Sequence, residues 1–314
     1  MHDVPARFRQ APFLRSDALA AGLTRGVLQG ARFRRLHHGV YCFSAREMTF
    51  LDAVAAARLA LPDGARTTGI TRLQELGLDV GPRSPLHFVV EGDHHLALDG
   101  VFLHRTAEMP SCDGAGVSVE PAYVAFCAEA RALDAIKIGC ELLRRGWFDL
   151  HAVEHLLTEQ RWRRGVAQAT WVLPHLDHRC RSLPEAELLA LLRFSGLPEP
   201  EVNAPMSLPD GGVITPDFWY ARWCRAVEYE GGQHQEDRAQ YTVDIERYAA
   251  YRRLGADYVQ VTKELLRLPR TTVRRVHRLL VEGGYDGPPP VFGPHWQSLF
   301  GPIRDVPRRP QRRR

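Results

Sequence analysis

Two glutamates separated by a tyrosine, Glu228 and Glu230, stand in the stretch VEYEGGQHQ at residues 227–235. Valine and tyrosine favour an extended chain, and alternate side chains of a strand share a face. Glu228 and Glu230 would then point one way, and Val227 and Tyr229 the other, toward apolar packing. The β-prone run GGVITPDFWY lies a few residues upstream, and a hairpin is the simplest way to join the two. With the turn centred near Arg222–Trp223, Asp217 falls across from Glu228. Directly opposed residues have Cβ atoms about 5 Å apart. Two anions about 4 Å apart repel by roughly 4 kcal/mol at an effective dielectric of about 20. A hard divalent cation, Mg²⁺ or Mn²⁺, removes that repulsion, and carboxylate oxygens are its preferred ligands. Asp217, Glu228 and Glu230 are therefore the expected metal-binding acids. A solvated strand edge would account for Glu230 alone; it accounts less well for all three acids together with His234.

The neighbouring residues extend the constellation. Gly231 and Gly232 let the backbone turn sharply and admit a bulky ligand such as a sugar-phosphate chain. His234 follows closely enough to move a proton or contact a phosphate, although a plain loop histidine would look the same. Upstream, SLPEAELLALLRFSG opens with Ser182 and Glu185, the S-x-x-E signature of a helix start, with Pro184 tolerated in the first turn. Capping alone explains Glu185; it also fits a fourth acid delivered to the site by a helix, whereas Glu187 faces elsewhere. Downstream, DRAQYTVDIERYAAYRRLG reads as a helix stopped by Gly255, on which Asp244 and Arg247 can pair at a spacing of three. DYVQVT then reads as a core strand with Val259 and Val261 on one face and Gln260 on the other.

The elements that must position these groups occupy the last third of a 314-residue chain. A composition of 45% hydrophobic and 25% charged residues is that of a globular protein, and the length suggests two or three domains. The fold class expected is α+β and multidomain, divided at 1–46, 47–178, 179–284 and 285–314. In the first block a helix over Ser16–Ala21, a break at Gly22, a second helix capped by Thr24 and the run RFRRLHHGVYCF give the order of a winged helix-turn-helix. Arg25, Arg32, Arg34 and Arg35 would contact DNA phosphates; a small helical cap with solvated arginines fits equally. In the middle block helices are expected at 48–61, 67–77, 121–131, 133–145 and 149–160, and strands at LHFVV and GVFLHRT. His87, His94, His95 and His104 lack ligand spacing and read as exposed histidines rather than a metal site. The last 30 residues, rich in proline, glycine and arginine, read as a mostly unstructured tail, either solubilising or weakly attracted to polyanions. Net charge is only +4, six scattered cysteines contain no C-x-x-C pair, and the start MHDVPARFRQ has no apolar core. These features suggest reduced thiols, no signal peptide, no membrane span and a cytoplasmic location.

The order of motifs — a helical glutamate, TPDF, VEYEG..H, QY..D..R and G..YVQVT — resembles the very-short-patch-repair-type branch of the PD-(D/E)XK nucleases. The N-terminal FLRSDALAAGLTRGVLQGARFRRLHHGVY resembles the winged-helix segment of abortive-infection type IV antitoxins. The resemblance spans about residues 12–282, more loosely in the middle. It implies a restriction-endonuclease-like α/β/α core with a mixed sheet at 179–284 and an antitoxin-like α/β middle domain. It also implies Asp217 and Glu228 as metal ligands, Glu185 assisting, His234 nearby, and Asp244, Arg247 and Gln260 in support. Two positions depart from the pattern. Glu230 stands at the lysine of the ExK motif, where this branch commonly has aspartate, and the added methylene moves the carboxylate by about an ångström. Gln260 stands where relatives often carry arginine. The implied function is a Mg²⁺-dependent DNA endonuclease with an attached DNA-binding winged helix. The alternative is a non-catalytic DNA-binding regulator, antitoxin-like, whose degenerate nuclease domain serves as scaffold or as the surface for a toxin or other protein partner.

Overall fold

The computed structural model describes residues 4–114, 116–208, 211–231 and 250–303. The chain divides into two compact units, Met1–Phe126 and Cys127–Arg314. It is mixed α+β with several separate sheets.

In the first unit, α1 (Arg7–Gln10), β1 (Phe13–Leu14), α2 (Arg15–Ala20), α3 (Arg25–Gln29), β2 (Phe33–His37) and β3 (Val40–Phe43) form a small module. Its three strands pair in the order β1-β3-β2, all antiparallel. Gly22 adopts a φ of +88° between α2 and α3, a left-handed turn that suits glycine. Thr24 caps α3 by accepting the Val27 N–H at 3.3 Å. Phe8, Phe13, Ala18, Leu23, Leu28 and Phe33 are buried together beneath it. The two helices and the hairpin lie where the sequence places them; β1 adds a strand that the sequence did not suggest. Beyond this module come α4 (Phe50–Ala60), β4 (Arg66–Thr67), α5 (Gly69–Glu75), β5 (Leu86–Glu91), β6 (Val101–Thr106), β7 (Cys112–Asp113), β8 (Gly116–Val117) and α6 (Val119–Cys127). The strands form one sheet in the order β6-β5-β4-β8-β7.

The second unit begins with α7 (Ala132–Arg144), α8 (Leu150–Glu159), α9 (Val166–Val172) and α10 (Leu183–Phe194). The strands β9 (Glu201–Val202), β10 (Met206–Ser207), β11 (Val213–Ile214), β12 (Phe218–Tyr220), β13 (Arg225–Glu230) and β14 (Asp257–Thr262) follow. After them come α11 (Lys263–Leu266), α12 (Pro269–Glu282) and α13 (Pro294–Gln297). A four-stranded mixed sheet runs β14-β13-β12-β9, with β13 antiparallel to β12 and parallel to β14. Helix α12 covers the face that carries Arg225, whose Nε donates to the Leu279 carbonyl at 3.1 Å. The opposite face packs Trp219 and Ala226 against Tyr251 and Ala256. Both faces of β13 are thus covered, and its first four residues are buried.

Four sequence expectations change. The boundary between compact units falls at Phe126–Cys127, inside the stretch 47–178, because α7 packs on α10 of the second unit. The run GGVITPDFWY is not one strand: Val213–Ile214 pairs with β10, and only Phe218–Tyr220 joins β13. Pro216 separates the two pieces, since it has no N–H to give a ladder. β14 is an outer strand of its sheet among the described residues, and Val259 is only half-buried. Finally, residues 288–303 are not a loose tail. Trp296, Leu299 and Ile303 are buried, His295 stacks on Phe194 at 4.5 Å, and the Ala132 N–H donates to the Gly301 carbonyl at 3.1 Å. Three apolar side chains outweigh the prolines and glycines around them.

An ion-pair network anchors the start of the second unit's sheet-bearing half. Asp177 accepts from Arg179 at 2.8 Å and from Arg193 of α10 at 2.9 Å. Burial pushes the Asp177 carboxyl up, but hydrogen bonds and charge from these two arginines outweigh it and hold the group down at about 2. A pKa depressed on folding contributes stability above the unfolded value and loses it as pH falls toward the folded one. Asp177→Asn should therefore destabilise the protein by about 1–2 kcal/mol at neutral pH, with the difference from wild type closing between about pH 4 and pH 2 in urea titrations. Leu299→Ala should cost about 2–5 kcal/mol by the same measurement, as expected for an integral core position and not for a dangling terminus.

Candidate functional site

The hairpin that carries the acids is set by its turn. A 3₁₀ turn at Ala221–Trp223 and a left-handed Cys224 (φ 54°) return the chain so that Phe218 faces Val227, Trp219 faces Ala226 and Tyr220 faces Arg225. Asp217 immediately precedes the first paired residue of β12, at a bend, and Glu228 immediately follows the last paired residue of β13 in that ladder. The parallel pairing with β14 sets Gln260 beside Glu228 on its other side. Side chains at paired positions share a face, so Glu228 and Gln260 belong to one side of the sheet, and Glu230 follows at the strand end.

Glu228 is 4% exposed, a carboxylate inside the covered part of the sheet. The Tyr251 hydroxyl donates to its Oε1. Asp217 is half-buried, and its Oδ2 accepts the Tyr229 N–H at 2.7 Å, a backbone donor beyond the last paired residue of β12. Glu230 and Gln260 are half-buried. Glu185 is buried at the start of α10, where Ser182 caps the helix by accepting the Glu185 N–H on Oγ at 3.2 Å; the carboxylate accepts the Ser182 hydroxyl on Oε1 at 2.9 Å and the Arg181 N–H on Oε2 at 2.8 Å. Glu187 turns away and pairs with Lys137 of α7.

Asn203 links the helix to the sheet. Its side-chain amide donates to Glu185 Oε2 at 2.8 Å and to the Arg179 carbonyl at 2.9 Å, and its backbone N–H donates to the Asp217 carbonyl at 2.9 Å. Its Oδ1 is buried without a hydrogen-bond partner among the described residues, and its φ of 47° lies in the left-handed region that asparagine tolerates. Sequence reasoning passed over Asn203 and Tyr251. Asparagine after a short strand was a signal for a left-handed turn; nothing in the sequence singled out Tyr251 from the other helical tyrosines.

Glu185, Asp217, Glu228, Glu230 and Gln260 are thus placed around one end of one sheet. His234, Asp244, Arg247 and Gly232 lie outside the described residues. No group of three or more His, Cys, Asp or Glu side chains close enough to hold a metal ion occurs among the described residues. The tight crowding of three anions expected from the strand pattern is therefore not seen; Asp217 and Glu228 each accept a separate donor, the Tyr229 N–H and the Tyr251 hydroxyl.

In the first unit Arg25, Arg32, Arg34 and Arg35 are all exposed on α3 and the hairpin. Arg34 and Arg35 are consecutive on β2 and so point to opposite faces. Arg34 is bound to its own module, donating to the Arg46 carbonyl at 2.9 Å and to Cys42 Sγ at 3.1 Å. His87 and His104 are not exposed: they are half-buried on β5 and β6 with ring nitrogens 3.0 Å apart, and both rings contact Phe102. No helix among the described residues is long and apolar enough to cross a membrane.

No known family profile matches the chain. Two proteins of Mycobacterium tuberculosis strains, Uncharacterized protein MT2308 and Uncharacterized protein Rv2248, are 26% identical to it over 254 residues, covering 78% of this chain and 92% of theirs. No solved structure matches.

Removing the hydroxyl that supports a buried carboxylate leaves that charge less compensated. Tyr251→Phe should lower stability at pH 7 by about 1–3 kcal/mol, read from urea unfolding midpoints, with little change in far-ultraviolet circular dichroism.

Proposed function

We propose that the C-terminal unit is a metal-dependent DNA endonuclease-like phosphodiesterase. The observation that supports it most is that Asp217 accepts the Tyr229 N–H, next to the buried Glu228, while Asn203 ties Glu185 to the Asp217 backbone. A carboxylate buried on a central strand costs stability unless something there needs it. In this reading Asp217 and Glu228 would hold Mg²⁺ or Mn²⁺, whose preferred ligands are carboxylate oxygens, Glu230 would complete the shell once the acids are drawn together, and the orphaned Asn203 Oδ1 is a further neutral oxygen on the residue that links Glu185 to Asp217. When bound, the cation would acidify water and stabilise negative charge on the phosphoryl group. The chain's own groups do the rest. The Tyr229 N–H and the Tyr251 hydroxyl fix the carboxylates that must not move, and Glu185 holds Asn203 in place. Glu230 would orient the attacking water, and His234 would receive or return a proton or contact a phosphate. Gln260 would brace Glu228, and Asp244 and Arg247 would support the same site from their helix. Hydrolysis adds water to phosphorus and releases one ester oxygen. The N-terminal module, with its order of helix, turn, helix and hairpin, would act as a winged helix that contacts DNA through Arg25, Arg32, Arg34 and Arg35.

A second reading rests on the same hydrogen bonds. Asp217 and Glu228 already have structural donors, and no lysine follows Glu228 at the ExK position. A cytoplasmic DNA-binding regulator of antitoxin type, with the nuclease-like unit as scaffold or as a toxin-binding surface, would use them so.

Plasmid nicking decides between the two. Supercoiled DNA incubated with wild type and Mg²⁺ or Mn²⁺ should be cut, and Asp217→Ala should reduce cutting by at least about a hundredfold, the usual scale for removing one electrostatic element of a site. Equal cutting by both proteins, or none by wild type in either metal, defeats the endonuclease reading. Promoter binding that survives Glu228→Ala, together with no metal uptake in calorimetry, supports the regulator.

A further inference from the structure

Helix α12 (Pro269–Glu282) carries a one-sided load of charge that neither the acid site nor the N-terminal module uses. Val273, Val276, Leu279 and Leu280 are buried against the unit's core, while Arg270, Arg274, Arg275 and Arg278 are exposed. Positions 270, 274 and 278 recur every four residues and so fall within one stripe of the helix surface. None of these four arginines has an ion pair or a hydrogen bond among the described residues. Like charges four apart destabilise a helix, and the first turn holds no acidic residue to offset Arg270 at the positive end of the helix dipole. A surface helix shaped for stability alone would interleave glutamates with its arginines. The acidic residues flanking the stripe, Glu264 before the helix and Glu282 in its last turn, stand at its ends.

Two of the arginines are held in place. Arg270 lies over the rings of Phe292 and Trp296 at 5.7 and 5.6 Å, and Arg274 lies over Phe292 at 5.5 Å. A guanidinium stacked by its face keeps its N–H groups free in its own plane, a pre-organised fork for a phosphate. The segment 288–303, which supplies those rings, is packed onto the unit and so acts as a fixed platform. From Arg270 to Arg278 the stripe runs ~12 Å at 1.5 Å per residue, the axial reach of roughly three or four phosphates along one strand of a duplex. A lipid surface fits poorly, because the apolar side of α12 is buried in the core and leaves nothing to insert.

We propose that the outer face of α12 is a second nucleic-acid contact, in which Arg270, Arg274 and Arg278 bind the phosphate backbone of double-stranded DNA independently of base sequence. It shares with the proposed function the premise that DNA is the ligand, but it does not require cutting. The test is fluorescence anisotropy with the full chain, a labelled duplex of about 25 base pairs and EDTA, over a range of salt concentrations. The triple variant Arg270→Gln, Arg274→Gln, Arg278→Gln should bind on the order of tenfold or more weakly at moderate salt. Its slope of log affinity against log salt should be shallower by about 2.7, at about 0.9 for each phosphate that is no longer neutralised. Its thermal midpoint should hold, since no ion pair is removed. Phe292→Leu, which keeps the charge and removes the platform, should weaken binding less and leave the slope near wild type. EDTA removes any metal that cutting would need, so the loss in the triple variant is read separately from the acid site. Unchanged affinity and slope in the folded triple variant, absence of duplex binding by wild type, or tighter capture by phosphatidylserine vesicles than by duplex would each overturn the proposal.

Discussion

The second unit depends on accommodating one acidic side chain, Glu228, inside a sheet covered on both sides. Burying an unsupported carboxylate is costly, so its surroundings have to answer it with donors. The Tyr251 hydroxyl is one, brought by helical residues that pack Trp219 and Ala226 on the same face. The requirement constrains the hairpin as well. A register slip of one residue would carry Glu228 to the face covered by α12 and turn Val227 toward the Tyr251 hydroxyl. The left-handed Cys224 and the 3₁₀ turn before it guard against that slip by fixing where the chain reverses.

The same constraint governs the approach to the sheet from α10. Ser182 caps the helix, and the Glu185 carboxylate that accepts its hydroxyl still has capacity on its second oxygen to hold Asn203. Asn203 in turn extends the β9–β12 pairing by one hydrogen bond to Asp217. A helix start, a left-handed loop residue and a strand end are thereby joined without a long salt bridge. Nearby, the cluster of Asp177, Arg179 and Arg193 anchors the segment that leads into α10. In the proposed site, the hydrogen bonds that stabilise the fold would also be the ones that aim the carboxylates.

Much of the local structure was legible in the residues. Thr24 and Ser182 are helix starts by side-chain chemistry alone, and both cap as expected. The turn position was enough to pair Phe218–Tyr220 with Arg225–Val227, because a short hairpin leaves little freedom in register. Other features were hidden for physical reasons. The two-residue strand β1 is held by pairing with β3 and has no pattern of its own. Residues 288–303 look like a tail by composition, and only docking of Trp296, Leu299 and Ile303 makes them part of the core. The arginines of α12 are conspicuous in sequence, yet their stacking on Phe292 and Trp296 joins segments whose contact no periodicity announces.

What the sequence determined by itself was local: helix starts, strand faces, the turn, and a set of acids of the right type at one end of a hairpin. Those follow from the geometry of neighbouring residues, which backbone sterics and side-chain length nearly dictate. Tertiary structure alone decided which donors reach the buried acids, that Asn203 bridges α10 to the sheet, and where the chain divides into compact units. These depend on contacts between residues far apart in the chain, and whether such contacts form is settled by how the whole core packs.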